Sequence, residues 1–465
     1  MKKRLGFIYA ALLLLPASAF AQQPPQIPFQ VSVVGRTNQP APALQSFAFA
    51  IDGDKWLLIG GRTNGFHRTS TREATFPTAN SNQDVYVVDL TLNRAWKAPL
   101  PNSLLYQLSS TNMEFYQDGG ALYLVGGYGS NCAEDKPECY QTFPNLTAIK
   151  VHQLVQAIIA GQKDISPYIV SITDDRMKVT GGELLKLGNN FYLVFGQDFE
   201  GIYKGGITGK YTEQVRRFQI NFDGARLSIA NYQAFNPPDG GGVDSQYHRR
   251  DLNVVESIRP ATSVLGLTAY GGVFTKTAGA WTNPVNVDQD AAGNTRIAVD
   301  TGFNQKMSQY SCARVLMFSA SRRTMFTTLL GGISLYYYDD KGKLLPSNID
   351  NFMPFINSIT TLARFGTGQT VEWPQPPSIA LPELMGANAV FIPAPGIPLM
   401  PGTHEVINYD RLPPGRTLVG YLYGGIHATA PQVSFINPSY ASSTIYGVFV
   451  LRTAAAKKAV HKKAK

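Results

Sequence analysis

The stretch Tyr247-His248-Arg249-Arg250-Asp251-Leu252-Asn253 gathers two guanidiniums, an imidazole and a carboxylate in one run. An arginine fork there can grip a carboxylate or phosphate of a ligand through paired N–H bonds. It can equally be absorbed within the chain, by Asp251, Asp244 or Glu114, to tie neighbouring elements together. Both readings stand for Arg249 and Arg250, while His248 reads as a structural hydrogen-bonding residue rather than a catalytic one. With Asn112, Glu114, Tyr310 and Asn388 they form the set of candidate ligand-binding residues, and no catalytic residue is assigned.

Other patterns fail on spacing. Residues 204–211 resemble a phosphate loop, but Lys204 stands where the first glycine belongs and no Ser or Thr follows Lys210. Residues 288–299 place Asp288, Asp290 and Gly293 at calcium-loop offsets, yet put Ala292, Arg296 and Val299 where oxygen ligands are needed. The sequence has no G-x-S-x-G elbow and no H-E-x-x-H. No metal and no cofactor are expected. Cys132 and Cys139 share a loop and suit a disulfide if the chain is exported, whereas Cys312 reads as a buried free thiol.

Export is what the N-terminus suggests. Lys2-Lys3-Arg4, an apolar run from Leu5 to Leu15 and Ala19-Phe20-Ala21 have the order of a secretory leader, residues 1–21, too short to span a bilayer. A periplasmic or extracellular location follows. The other end, residues 454–465, is a Lys/Ala-rich tail. Setting aside its five lysines and the three cations of the leader leaves 33 basic against 32 acidic residues, so the net charge of +9 belongs to the ends and no nucleic-acid face is expected. The tail is suited to weak contact with an anionic envelope surface.

The elements that must position the candidate residues are repeats. Six apolar runs end in glycine: 56–65, 122–131, 191–201, 266–276, 326–339 and 418–428. Each is apolar on both faces, as for a strand packed between two sheets. Each follows another extended stretch with a turn between. With 43 glycines, 30 prolines and little helical periodicity, the chain reads as all-β. In the clearest unit, residues 84–101 add two more strands, and six four-stranded units in series over residues 22–453 make one six-bladed β-propeller. The last unit is one strand short, and residues 29–36 are expected to complete it, pairing the two ends of the ring.

The first unit resembles the kelch-repeat family: a diglycine ends the second strand, Tyr86 lies in the third, Trp96 in the fourth, and Leu100-Pro101 leaves it. Phe218 and Trp373 are partial matches in units three and five, and Gly196-Gln197 stands for the diglycine in unit three. The resemblance implies a kelch-like propeller, distantly similar to galactose-oxidase-like and sialic-acid-mutarotase-like ones. A copper site of the first kind is not expected, because His67, His152, His248, His404 and His427 are scattered over the units. Long loops after the glycines, at 62–83, 128–145, 198–213, 273–296, 333–350 and 426–442, would form a recognition face where the inner strands begin. Two functions remain: a binding module for a protein or glycan on that face, and a mutarotase-like carbohydrate isomerase using Arg249, Arg250 and Glu114. The reading leans toward the module.

The tail reading has its own test. Removing residues 454–465 is expected to release the protein from anionic vesicles at low salt, and cosedimentation unchanged by the truncation would contradict it.

Overall fold

The protein is described by a computed structural model covering residues 27–452, apart from 37–38, 68–74, 204–208, 278, 340, 342, 347–352 and 435. The leader and the lysine-rich tail lie outside the described residues.

Six sheets, each built on four antiparallel strands, follow one another along the chain as the blades of a β-propeller, and those of blades five and six each add a short fifth strand. Blade one runs, from the axis outward, Ala48–Asp52, Lys55–Ile59, Asp84–Asp89 and Arg94–Pro99. The innermost strands of blades two to five are Glu114–Asp118, Glu183–Leu187, Arg250–Ile258 and Ala313–Ser319. Blade six takes Leu384–Pro393, Gly415–Ala428 and Ile445–Arg452 from the end of the chain and its outermost strand, Phe29–Arg36, from the beginning. The register runs without interruption from Phe29 opposite Arg452 to Arg36 opposite Ile445, which is the ring closure expected from the sequence.

The apolar runs have apolar residues on both faces because each feeds two cores. Alternate side chains of a strand point to opposite faces. Leu57 and Ile59 therefore pack toward blade two, while Trp56 and Leu58 pack toward blade six. One apolar cluster fills each of the six boundaries between blades. The helix Val151–Ile159, which repeat reasoning did not anticipate, lies between the outer strands of blade two and sends Val151, Leu154, Val155 and Ile158 into the cluster it shares with blade one.

The glycine pairs have a steric cause. In Gly126-Gly127 and Gly331-Gly332 all four residues have positive φ, and a Cβ on Gly126 or Gly331 would stand 2.0 Å from the carbonyl oxygen of Val179 or Met385 in the next blade. No side chain fits there. Contact this close lets the second glycine bond across the boundary: Gly61, Gly127, Gly196 and Gly425 each donate their N–H at 2.9 Å to the carbonyls of Ser110, Val179, Arg249 and Leu44. In blade three the pair is Phe195-Gly196, not Gly196-Gln197. Phe195 holds the positive φ of 58°, fully buried against Tyr247.

Two loop assignments change. Residues 273–296 are not all loop, since Val285–Gln289 and Thr295–Val299 are the outer strands of blade four, written with too little alternation around Asp288-Gln289 to be seen. Several other loops carry hairpins of their own, among them Tyr128–Ser130 with Tyr140–Thr142 and Tyr336–Tyr338 with Leu344–Pro346. Within the first of these the Cys132–Cys139 disulfide is present, and Cys312 is a buried free thiol.

Deleting residues 28–36 removes the buried Phe29 and Val31 from the core between blades five and six and exposes an edge of the ring. Chemical denaturation is expected to show a loss of roughly 5 kcal/mol or more. A midpoint unchanged from the intact chain would contradict the closure.

Candidate functional site

Near the start of each inner strand in blades one to five, and within Leu384–Pro393 of blade six, one residue bends the chain around the axis. Ser46, Asn112, Gly181, Asp251, Ser311 and Asn388, one per blade, all have positive φ. That conformation turns their N–H groups sideways, from blade to blade. Asn112 donates to the carbonyl of Ser46, Asp251 to Gly181, Ser311 to Asp251, Asn388 to Ser311 and Ser46 to Asn388, at 2.6–3.3 Å. The carbonyl of Asn112 accepts from the Thr180 hydroxyl at 3.1 Å. The resulting belt narrows the axis into a neck. Gly181 carries no side chain because the Asp251 carboxylate fills its place, 2.8 Å from where a Cβ would stand, and accepts from Asn112 Nδ2 across the gap at 3.4 Å.

Above the neck, on the face where the loops project, aromatic side chains close the axis. Tyr128, Tyr140, Phe199 and Tyr203 form a buried cluster with Phe76, drawn from the loops of blades one to three. The Tyr128 hydroxyl donates to the Gly201 carbonyl at 2.6 Å, and that of Tyr140 to Phe76 at 2.9 Å. His67 stacks on Phe66 at 4.4 Å, and burial lowers its pKa to about 3, which leaves it neutral. Only about 50 Å³ of space is left between this cap and the neck.

The Tyr247–Asn253 run lies at the rim of the cap, largely buried. Arg249 is fully buried, with Nε donating to the Gln246 carbonyl at 2.6 Å and Nη1 to the Gly271 carbonyl at 2.9 Å, over the Trp281 ring. None of the three acids expected to partner it does so; its role is to tie the loop to the second strand of blade four. His248 bonds Glu213 through Nδ1 at 2.6 Å and stacks on Tyr211. Arg250 is different. Its Nη2 donates to the Tyr203 hydroxyl at 2.6 Å, its Nε lies 3.6 Å from Asp251, and Tyr203 and Phe274 flank it at 5.1 and 4.8 Å. Tyr310 hydrogen-bonds the Asp251 carboxylate, which burial pushes toward its protonated form.

Below the neck the axis widens into a cavity of about 420 Å³. Its lower mouth is partly covered by the connection between the first two strands of blade six. In that segment Val406–Asn408 pairs in parallel with Leu316–Phe318 of blade five. The backbone N–H groups of His404 and Glu405 both donate to Glu256 of blade four at 2.8 and 3.0 Å, and His404 meets the Tyr116 ring of blade two at 4.9 Å. Where the segment does not reach, Phe49, Ile51, Phe115 and Phe391 line the wall.

The polar side of the cavity is acidic. Arg314 Nη2 donates to Glu183 at 2.5 Å, and its Nε lies 3.8 Å from Glu405. Glu114 accepts from the Gly182 N–H at 2.6 Å through Oε1, and its buried Oε2 has no hydrogen-bond partner. Burial pushes Glu114 up to about 8, against a smaller opposing pull from the backbone N–H groups and Arg216. Burial likewise raises Glu183, opposed by Arg314, and pushes Glu256 up to about 7. Burial lowers His404. The single cation among the four acids lining the space, Glu114, Glu183, Asp251 and Glu405, is thus Arg314.

Of the residues singled out in the sequence, Asn112, Glu114 and Asn388 line this cavity; Asn112, Asn388, Arg250 and Tyr310 line the small space above the neck; His248 and Arg249 line neither. Glu183, Arg314, Glu405 and Phe115 were missed. A signal existed for some of them. Counting three residues on from the positive-φ residue lands on Phe49, Phe115, Arg314 and Phe391 in blades one, two, five and six, and counting two lands on Glu114 and Glu183 in blades two and three. Among the described residues no group of three or more His, Cys, Asp or Glu is arranged to hold a metal ion, and no helix is long and apolar enough to cross a membrane. No family model matches the sequence, and no curated protein matches it either.

Glu114 sets a pH dependence whose sign is fixed. Its folded pKa lies above the unfolded one, so the folded chain holds the extra proton and stability falls as pH rises from about 4.5 to about 8. Glu114→Gln is expected to change little at pH 5 and to stabilise by roughly 1–3 kcal/mol at pH 8.5. Urea unfolding at the two pH values checks it, and equal effects at both would contradict the burial of the charge.

Proposed function

We propose that the protein is an exported binding module that holds its ligand on the propeller axis, with a glycan or a protein side chain entering the cavity. One observation carries the reading: a space of about 420 Å³ lined by the rings of Phe49, Phe115 and Phe391 together with Arg314 and several acids. Ligand sites of roughly 300–1,000 Å³ with apolar walls and a few placed polar groups are the common form. The aromatic cap supports entry from the lower face for a small ligand. The loop face offers a protein partner Ile436, 89% exposed, and Tyr440 beside it. The disulfide and the leader-like N-terminus support a place outside the cytoplasm.

A second reading, a carbohydrate isomerase of the mutarotase-like kind, draws on Glu114. A buried carboxyl that keeps its proton near neutral pH can act as a general acid, and Arg314 lines the same cavity.

A glycan array combined with sugar anomerisation followed by NMR separates the two. The module reading expects glycan capture without turnover, weakened at least about tenfold by Phe115→Ala. Arg249→Ala is the structural contrast, expected to lower stability by roughly 2–3 kcal/mol. Anomerisation catalysed by the intact protein and abolished in a folded Glu114→Gln variant would replace the module by the enzyme.

A further inference from the structure

The cavity has a chemical preference that its shape alone does not state, and the inference rests on the binding-module reading. Its acids are unequally served. Asp251 is held at the neck by Asn112, Tyr310 and Arg250. Glu183 and Glu405 share Arg314. Glu114 is only 3% exposed, lines the cavity, takes the Gly182 N–H on Oε1, is drawn on by its own backbone N–H, and has no hydrogen-bond partner on Oε2 among the described residues. The guanidinium nearest in influence, that of Arg216, donates through Nη1 to the Arg176 carbonyl at 2.7 Å, and its Nε and Nη2 make no hydrogen bond to Glu114. A buried carboxylate oxygen without a donor is costly, and a ligand that brings a charged donor removes that cost.

Aromatic side chains lining the same cavity suit the remainder of such a ligand. Phe49 and Phe115 pack edge to face at 5.3 Å, are both partly exposed, and line the same space with Phe391. Aromatic faces attract organic cations and cover apolar or sugar bodies. We propose that the axial cavity binds a small organic ammonium ion, its head donating to Glu114 and its body lying against Phe49 and Phe115.

Two sources share this chemistry, an alkylamine and an amino sugar. Binding either one transfers the Glu114 proton to the buffer, because the carboxylate form is the one the ammonium stabilises.

Isothermal titration of the purified protein at pH 7 with two matched pairs tests the proposal: hexylammonium against hexan-1-ol, and glucosamine against glucose. In at least one pair the ammonium member is expected to bind tenfold or more tightly than its neutral partner. Its heat should vary with buffer ionisation enthalpy in the sense of proton release. Preference in the first pair assigns an alkylamine, and preference in the second an amino sugar. Glu114→Gln should abolish preference and proton release together while its urea midpoint shows it folded. Equal binding of charged and neutral members overturns the charge inference and leaves a cavity that binds ligands. Failure of every probe, with array glycans captured by the intact protein and Glu114→Gln alike, overturns the ammonium site. Failure of every probe together with an array that captures nothing overturns both the site and the module reading.

Discussion

Adjacent blades touch at backbone distance, and that contact constrains the rest of the molecule. At Gly126 and Gly331 the next blade's carbonyl occupies the space of a Cβ, 2.0 Å away. Sheets held so closely have no room for an intervening layer, so the strands behind the glycines must be apolar on both faces and each boundary must fill with one cluster. Blade six is bound by the same requirement. It cannot end one strand short, because Phe29 and Val31 are members of the cluster it shares with blade five.

The same closeness shapes the axis. Where the inner strands crowd together, the positive-φ belt of Ser46, Asn112, Gly181, Asp251, Ser311 and Asn388 is how the backbone satisfies its polar groups at that radius. Five of the six positions are not glycine. Asn and Asp tolerate this geometry better than most residues. The belt divides the axis into a capped upper space and a larger lower cavity. Burial in that lower cavity raises Glu183 and pushes Glu114 up to about 8, because water is scarce there. Charge, shape and aromatic wall at the site are thus consequences of blade packing.

The propeller was legible because its signal is repeated. Six glycine-ended apolar runs, read together, outweigh the ambiguity of any one, and the shortage of a strand in the last unit pointed to residues 29–36. Blade four's outer strands were lost, since Asp288 and Gln289 interrupt the apolar pattern of Val285–Gln289. The site was legible in part. Asn112 and Asn388 were found near the expected starts of inner strands and Glu114 as an acid for the arginines, but Arg249, found in the same way as the asparagines, sits in a structural clamp. Glu405 reaches the axis on a segment that crosses from blade six to blades two, four and five, a path no local pattern encodes. In the first unit Tyr86 lies in the third strand and Trp96 in the fourth, as the repeat pattern placed them.

Native-state hydrogen exchange at the amides of Gly61, Gly127, Gly196 and Gly425 tests the central claim most directly. Each of these N–H groups is donated across a different blade boundary at the same 2.9 Å. If the blades are locked as one wheel, all four exchange only through global unfolding, with a common free energy equal to that from denaturant. Rapid exchange at any one of them, while strand amides within the adjoining blades remain protected, would show that boundary to be open and contradict the account.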